Sequence, residues 1–149
     1  MKKTLSARTA ISIAIFLVAV CEIPTRANAQ NAEEKPCPGA ADAAGSHLYG
    51  LWRAQFDGLA EGATLLLEKH SELAGSVQGG VNRDGDKTLA AGDVDLGHFT
   101  LEESADGKTV TATWQGELVD ASCGQEIRGV WTPVRGEARR FVLRKQGGW

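Results

Sequence analysis

The chain has 149 residues, of which 42% are hydrophobic and 23% charged, and its formal net charge is −3 at pH 7. These fractions are typical of one ordinary globular domain and argue against a disordered chain, a collagen-like fibre or a coiled coil. The acidic balance disfavours nucleic acid or an anionic membrane surface as the main partner.

Residues 1–29 have the organisation of a secretory signal peptide. Lys2, Lys3 and Arg8 form a basic start, which the apolar run Ile11 to Val20 follows. The triplet Ala27-Asn28-Ala29 then places small residues where a signal peptidase cleaves. The apolar run is too short to span a membrane, and no later segment is long and apolar enough to do so. The sequence therefore predicts a periplasmic or secreted protein without a membrane span.

Two cysteines, Cys37 and Cys123, remain after cleavage. In an oxidising compartment we expect them to form one disulfide, and closing so long a loop is worth on the order of 4 kcal/mol. Residues 30–46 have no periodicity and are predicted to form an extended leader held by Cys37. Acylation of Cys21 in a lipoprotein is the alternative, but Val20 is a poor residue before such a cleavage point.

Residues 47–149 alternate between apolar and polar residues with a period of two, which is typical of half-buried antiparallel strands. The alternation is clearest over residues 110–118, where Trp114 shares a face with Val110 and Leu118. Similar runs cover residues 48–56, 64–68, 73–81, 98–102, 127–131 and 141–143. Short Asp-Gly or Arg-Gly turns separate several of them. The pattern predicts an all-β domain, a single antiparallel up-and-down barrel of about eight strands.

Gly50-Leu51-Trp52 opens the first strand, and the basic segment Arg139–Arg144 forms the last one. This combination resembles the calycin superfamily (lipocalins, fatty-acid-binding proteins, avidins). The resemblance implies a barrel in which Trp52 plugs one end beneath a basic residue of the last strand. Trp114-Gln115-Gly116 and the later Trp131 are similar to the tryptophans of avidin strands. Residues 53–58 lack the Asn and Ser that hold biotin in avidins, so the resemblance supports the barrel and not biotin binding.

Trp52, Trp114 and Trp131 lie on apolar strand faces, where they form either the core or the lining of a cavity. In the second case Gly75, Gly79, Gly116 and Gly129 would leave room for a ligand. We expect a non-catalytic protein that holds a small apolar or aromatic ligand against Trp114 and Trp131. The alternative is a module that binds a periplasmic protein, such as a protease or lysozyme inhibitor, with its contacts in loops and Trp149. A filled barrel would favour this alternative.

The segment from Asn82 to Asp93 resembles the calcium loop of EF-hands and dockerins. Its oxygen-bearing positions are Asn82, Asp84, Asp86, Thr88 and Asp93. Lys87 stands where that loop requires glycine, and an Asp replaces the usual bidentate Glu at the last position. A calcium-stabilised domain and a solvated hairpin loop are the two interpretations.

The sequence shows no constellation of catalytic residues. His47, His70 and His98 are isolated from Ser or Cys motifs. Glu102 and Glu103 are neighbours on a strand and therefore point to opposite faces, so they cannot act as a pair. The two remaining cysteines are better used in a disulfide than as zinc ligands. The sequence thus predicts no enzyme and no cofactor other than calcium.

Overall fold

The structure is a computed structural model that describes residues 37 and 39–147. The predicted signal peptide, residues 30–36 of the predicted leader and Trp149 lie outside the described residues. The bounds of the elements, in chain order, are a 3-10 turn Ala40–Asp42, α1 Gly45–Leu48, β1 Gly50–Phe56, β2 Ala63–Lys69, β3 Val77–Arg83, β4 Asp86–Asp95, β5 His98–Ser104, β6 Val110–Leu118, β7 Glu126–Pro133 and β8 Arg139–Lys145.

The eight strands form one closed barrel in which each strand pairs with its neighbours in sequence. The last strand returns to the first, from Trp52 opposite Lys145 to Phe56 opposite Phe141, and all pairs are antiparallel. Closure leaves no unpaired sheet edge, which is how a meander of half-buried strands satisfies its backbone. The predicted all-β, up-and-down barrel is therefore confirmed.

Inward-pointing residues form a continuous core along the barrel axis. The alternation predicted from the sequence is visible in the burial of β1, where Trp52, Ala54 and Phe56 are buried and the residues between them are exposed. The largest fully buried side chains include Trp52, Trp114, Phe99 and Phe141. Aromatic side chains of this size dominate the apolar surface that a small barrel removes from water.

The fourth strand was not among the predicted runs. Asp86–Asp95 is a ten-residue strand, and the turn that joins it to β3 contains only Asp84 and Gly85, both with positive φ. The segment compared with a calcium loop is therefore a tight hairpin followed by a regular strand. Small residues such as Ala90, Ala91 and Gly92 occupy both faces there, so the alternation is too weak to see in the sequence.

Two short helical turns occupy part of the segment predicted as an extended leader. Ala40–Asp42 and Gly45–Leu48 precede β1, and Leu48 is fully buried at the end of the barrel. α1 has four residues, and among the described residues no helix is long and apolar enough to cross a membrane.

Cys37 and Cys123 form the predicted disulfide across a sequence separation of 86 residues. We expect replacement of both cysteines by serine to lower the free energy of unfolding by about 2–4 kcal/mol, because the unfolded chain regains the freedom of a long loop. Urea unfolding of both proteins, with and without reductant, measures this change. The reductant should shift only the wild type, and equal midpoints for the two proteins would contradict the prediction.

Candidate functional site

Trp52 closes one end of the barrel. Its indole Nε1 donates a hydrogen bond of 2.7 Å to the carbonyl of Leu48, just before β1. The ammonium of Lys145 lies 5.5 Å from the centroid of the Trp52 ring and donates to the carbonyl of His47 at 2.7 Å. Burial lowers the pKa of Lys145. A cation on the indole face that also bonds a local carbonyl is the arrangement implied for this end, but Lys145 supplies it rather than a residue of Arg139–Arg144.

The other end, which we call the mouth, is where the odd-numbered strands finish. β1, β3, β5 and β7 all run toward it, because neighbouring strands of the barrel are antiparallel. Near this end each strand directs a large side chain inward, and these side chains are Phe56, Arg83, Glu103 and Trp131. The topology therefore brings four side chains from distant parts of the sequence to one place.

Aromatic rings pack beneath the mouth. Trp114 and Trp131 are directly opposite each other on β6 and β7, with ring centroids 6.4 Å apart. Phe56 lies 5.4 Å from both indoles, and Phe141 lies 4.8 Å from Trp114. Trp114 and Trp131, which we predicted as a pair of ligand contacts, therefore do come together. Trp52 does not join them, since it lies four residues before Phe56, about 13 Å along β1.

Glu103 is a buried carboxylate at the centre of this cluster, with only 1% of its surface exposed. Its Oε1 accepts hydrogen bonds from the indole N–H groups of Trp114 at 2.7 Å and Trp131 at 2.9 Å. Its Oε2 accepts from the hydroxyl of Thr88 at 2.9 Å. A buried charge requires such partners, because removing it from water is otherwise very costly. The neighbouring Glu102 is exposed on the outer face, as predicted for adjacent residues on a strand.

Arg83 supplies the balancing charge. Its Nη2 forms an ion pair with Oε1 of Glu103, and its guanidinium lies 4.7 Å over the centroid of the Trp131 ring. β3 and β7 are four strands apart in a barrel of eight, so they form opposite walls. The Arg83 side chain therefore reaches across the mouth. We call Glu103, Trp114, Trp131 and Thr88 the carboxylate cage.

The turn between β5 and β6 lies beside the cage and is held by Asp106. One carboxylate oxygen accepts from the backbone N–H of Thr109 at 2.7 Å and of Lys108 at 2.9 Å. These bonds hold the pKa of Asp106 far below its usual range. Their stabilising contribution is complete above the pKa of an ordinary aspartate, declines as the pH falls below that value, and is fully lost once the pH has fallen through the lowered pKa.

Three of the glycines expected to make room for a ligand serve a different purpose. A Cβ added at Gly79, Gly116 or Gly129 would lie 1.9, 2.6 or 2.0 Å from a carbonyl oxygen of the adjacent strand. Only glycine permits so close an approach of two backbones. Gly75 lies in the turn before β3 with φ +87°. Two of these glycines also lie beside buried aromatic side chains, since Gly116 pairs with Phe99 and Gly129 with Phe141.

The five residues compared with a calcium loop are not brought around one point. The amide oxygen of Asn82 accepts from the backbone of Gly85, and Thr88 bonds Glu103 inside the barrel. Asp93 accepts from the hydroxyl of Thr100 and lies seven residues beyond Asp86, about 23 Å along β4. Over residues 37 and 39–147, no group of three or more His, Cys, Asp or Glu could hold a metal ion. The calcium interpretation stays a prediction without supporting geometry in this part of the chain.

The three histidines are separate from one another. His47 bonds the backbone of Ala44, and His70 accepts from the backbone N–H groups of Glu72 and Leu73. His98 pairs with Glu117 on the outer surface at 3.0 Å. Each thus has a local structural partner, and the expectation of a non-catalytic protein stays a prediction.

A groove of about 690 Å³ lies on the outer face of the sheet, mainly over β2 to β5. Leu66 and Leu89 stand on either side of Gly80 in one row across three strands, since Leu66 pairs with Gly80 and Gly80 with Leu89. The two leucines are 56% and 55% exposed, and Val110 at the β6 side is 36% exposed. Because Gly80 has no side chain, the row forms a trough with apolar walls. We call this the outer groove.

Polar side chains surround the outer groove. The adjacent row places Glu68, Gln78 and Ala91 side by side and ends in Glu102 on β5. His70 and Lys108 also line the groove. The rim thus carries two carboxylates against one ammonium group. Sequence reasoning missed this site. Leu66 gave a signal, since it is a leucine on the polar face of a predicted strand, but Leu89 gave none because β4 was not predicted.

A scan against protein-family models matches no family, and a search of curated proteins finds no significant match. The fold itself defines the class as a closed, eight-stranded, antiparallel up-and-down barrel with one disulfide.

Proposed function

We propose that this chain is an exported, non-catalytic binding module of calycin-like architecture, and that it holds a partner protein on its outer groove. The observation that carries the proposal is the position of the exposed apolar surface. Leu66 and Leu89 are more than half exposed on the outer face, whereas Trp52 and Trp114, two of the three tryptophans expected to line a ligand cavity, are fully buried in the core. Contiguous exposed apolar side chains around a groove are typical of an interaction surface.

Both ends of the barrel support this choice over a ligand held inside. Trp52 and Lys145 occupy one end, and Arg83 crosses the other. The indole N–H groups of Trp114 and Trp131 would be the hydrogen-bond donors to a ligand in this place, but both already donate to Glu103. A small apolar ligand against these indoles stays a prediction, and it would have to enter past Arg83.

The chemistry of the outer groove indicates the kind of partner. Its floor and walls are apolar, and Glu68 and Glu102 stand on the rim. A partner segment with apolar side chains and a neighbouring Lys or Arg would complement both features. A closed barrel has no free strand edge, so such a segment would be held by side chains and not by addition of a strand.

Export is part of the proposal. The basic start, apolar run and small-residue triplet of residues 1–29 are the signals for it, and the disulfide is the kind of bond that persists in an oxidising compartment.

Site-specific photocrosslinking in cells that export the protein tests the proposal. A benzoylphenylalanine at Leu89 should give one discrete adduct with another protein, and the same probe at Val130 should not. Val130 is a matched control because it is an outward-facing apolar residue, 40% exposed, on the far side of the barrel. Leu66→Ser in the Leu89 probe protein should lower the adduct yield about tenfold, because full burial of a leucine is worth about 1.5–3 kcal/mol.

Two results would contradict the proposed function. One is the absence of any protein adduct at Leu89, and the other is the same set of adducts at Leu89 and Val130. In either case the exposed leucines are an ordinary surface.

A further inference from the structure

The carboxylate cage has the composition of a site for an organic cation. It combines a carboxylate that is 1% exposed with the face of an indole, Trp131, that is open enough to be covered by a guanidinium. The remaining bonds to Glu103 come from two N–H groups and one hydroxyl. These donors leave one direction of approach, from the mouth, for a positive charge. Cations over aromatic faces beside a carboxylate are recognised in this way.

Arg83 fills this site incompletely. It reaches the carboxylate through Nη2 alone, although a guanidinium can offer two parallel donors to a carboxylate. Its Nε is buried and has no hydrogen-bond partner among the described residues. A buried donor without a partner is destabilising, because it has lost its hydrogen bonds to water and gained none in exchange. The contact therefore falls short of what a guanidinium with free orientation could make.

Arg83 also has a route out of the cage. It is the last residue of β3, its side chain is 29% exposed, and the next two residues form the tight turn Asp84-Gly85. The side chain thus stands at the solvent boundary of the mouth, where rotation about its own bonds would bring the guanidinium into water. The charged groups facing it are Glu103 from β5 and, through the hairpin, Asp86 opposite it on β4.

We propose that the carboxylate cage is a binding site for a guanidinium group and that Arg83 is its displaceable resting occupant. An incoming guanidinium stacks on Trp131 and pairs with Glu103, while Arg83 swings into water. The group can belong to a small free guanidine or to an arginine side chain of a peptide, since both present the same planar cation. This site is separate from the outer groove, so either proposal can fail without the other.

Titration of the mature, disulfide-bonded protein with methylguanidinium chloride tests the proposal, with tryptophan fluorescence as the readout. The wild type should show a saturable change at constant ionic strength, and sodium chloride alone should not produce it. Arg83→Ala should bind more tightly, because the resting occupant no longer competes. If Arg83 leaves the cage open about a tenth of the time, the apparent affinity rises about tenfold in the variant.

Two further arms complete the experiment. Glu103→Gln in the Arg83→Ala protein should abolish the saturable change, because the amide cannot pair with the cation. A short peptide with one central arginine should compete with methylguanidinium if the mouth admits a peptide, and failure to compete assigns the site to small guanidines.

The wild-type titration can overturn the proposal by itself, whether or not the variants fold, because a wild type without saturable binding shows that Arg83 is a fixed structural partner of Glu103. Where Arg83→Ala folds, an affinity equal to that of the wild type leads to the same conclusion.

Discussion

Replacement of Glu103 by alanine is expected to lower the free energy of unfolding by about 3–5 kcal/mol, the usual result of removing one partner of a buried ion pair. The variant leaves the guanidinium of Arg83 at the mouth without its counter-charge. It also leaves the indole N–H groups of Trp114, which is fully buried, and of Trp131, which is partly buried, without this acceptor. The cavity that the side chain leaves destabilises the fold further, in addition to these two losses.

Glu102→Ala is the matched control, since Glu102 has the same chemistry one residue earlier on the same strand but faces solvent. Its free energy of unfolding should change by no more than about 0.5 kcal/mol. Urea unfolding of the two variants and the wild type under identical conditions measures both changes. A similar, small effect for the two variants would show that Glu103 is not balanced by the contacts described here.

The order of the strands was largely predictable because period-two alternation is a local signal. On β6, Ala112, Trp114 and Leu118 are buried as the pattern indicates, but Val110, predicted on the same face, is exposed at the outer groove because the pairing of β5 with β6 shifts register beside it. β4 escaped prediction because Ala90 and Ala91 present similar side chains to the two faces, although one is buried and the other exposed. Which residues of β4 are buried depends on its pairing with β3 and β5. The local sequence carries no information about that pairing.

The two candidate sites depend on adjacency between strands that are distant in sequence. Glu103 continues the buried series of Phe99 and Leu101, and an acidic residue at an inward position signals a buried charge. Its partner Arg83 could not be found from that signal, since it stands 20 residues earlier on another strand. The outer groove likewise requires Leu66 and Leu89 to align across Gly80.

The closed end and the mouth use the same chemistry to different effect. At the closed end the ammonium of Lys145 lies on Trp52 and donates to a backbone carbonyl, so the cation is fixed by contacts within the protein. At the mouth Arg83 lies on Trp131 but leaves one donor unpaired and part of its surface in water. The first arrangement fixes the fold, whereas the second retains a capacity to exchange its cation.

Replacement of Trp52 by alanine is therefore expected to be a stability defect without a binding defect, with a loss of about 3–5 kcal/mol for a fully buried tryptophan. The variant removes the ring beneath Lys145 and the hydrogen bond that ties Leu48 to β1. Trp52→Phe keeps part of the packing and should lose less, and the adjacent, half-buried Leu51→Ala should lose least. Thermal unfolding of the three variants gives the order, and methylguanidinium titration of the folded Trp52→Phe protein should match the wild type. An Ala variant as stable as the wild type would mean that Leu48 and Lys145 close this end without the indole.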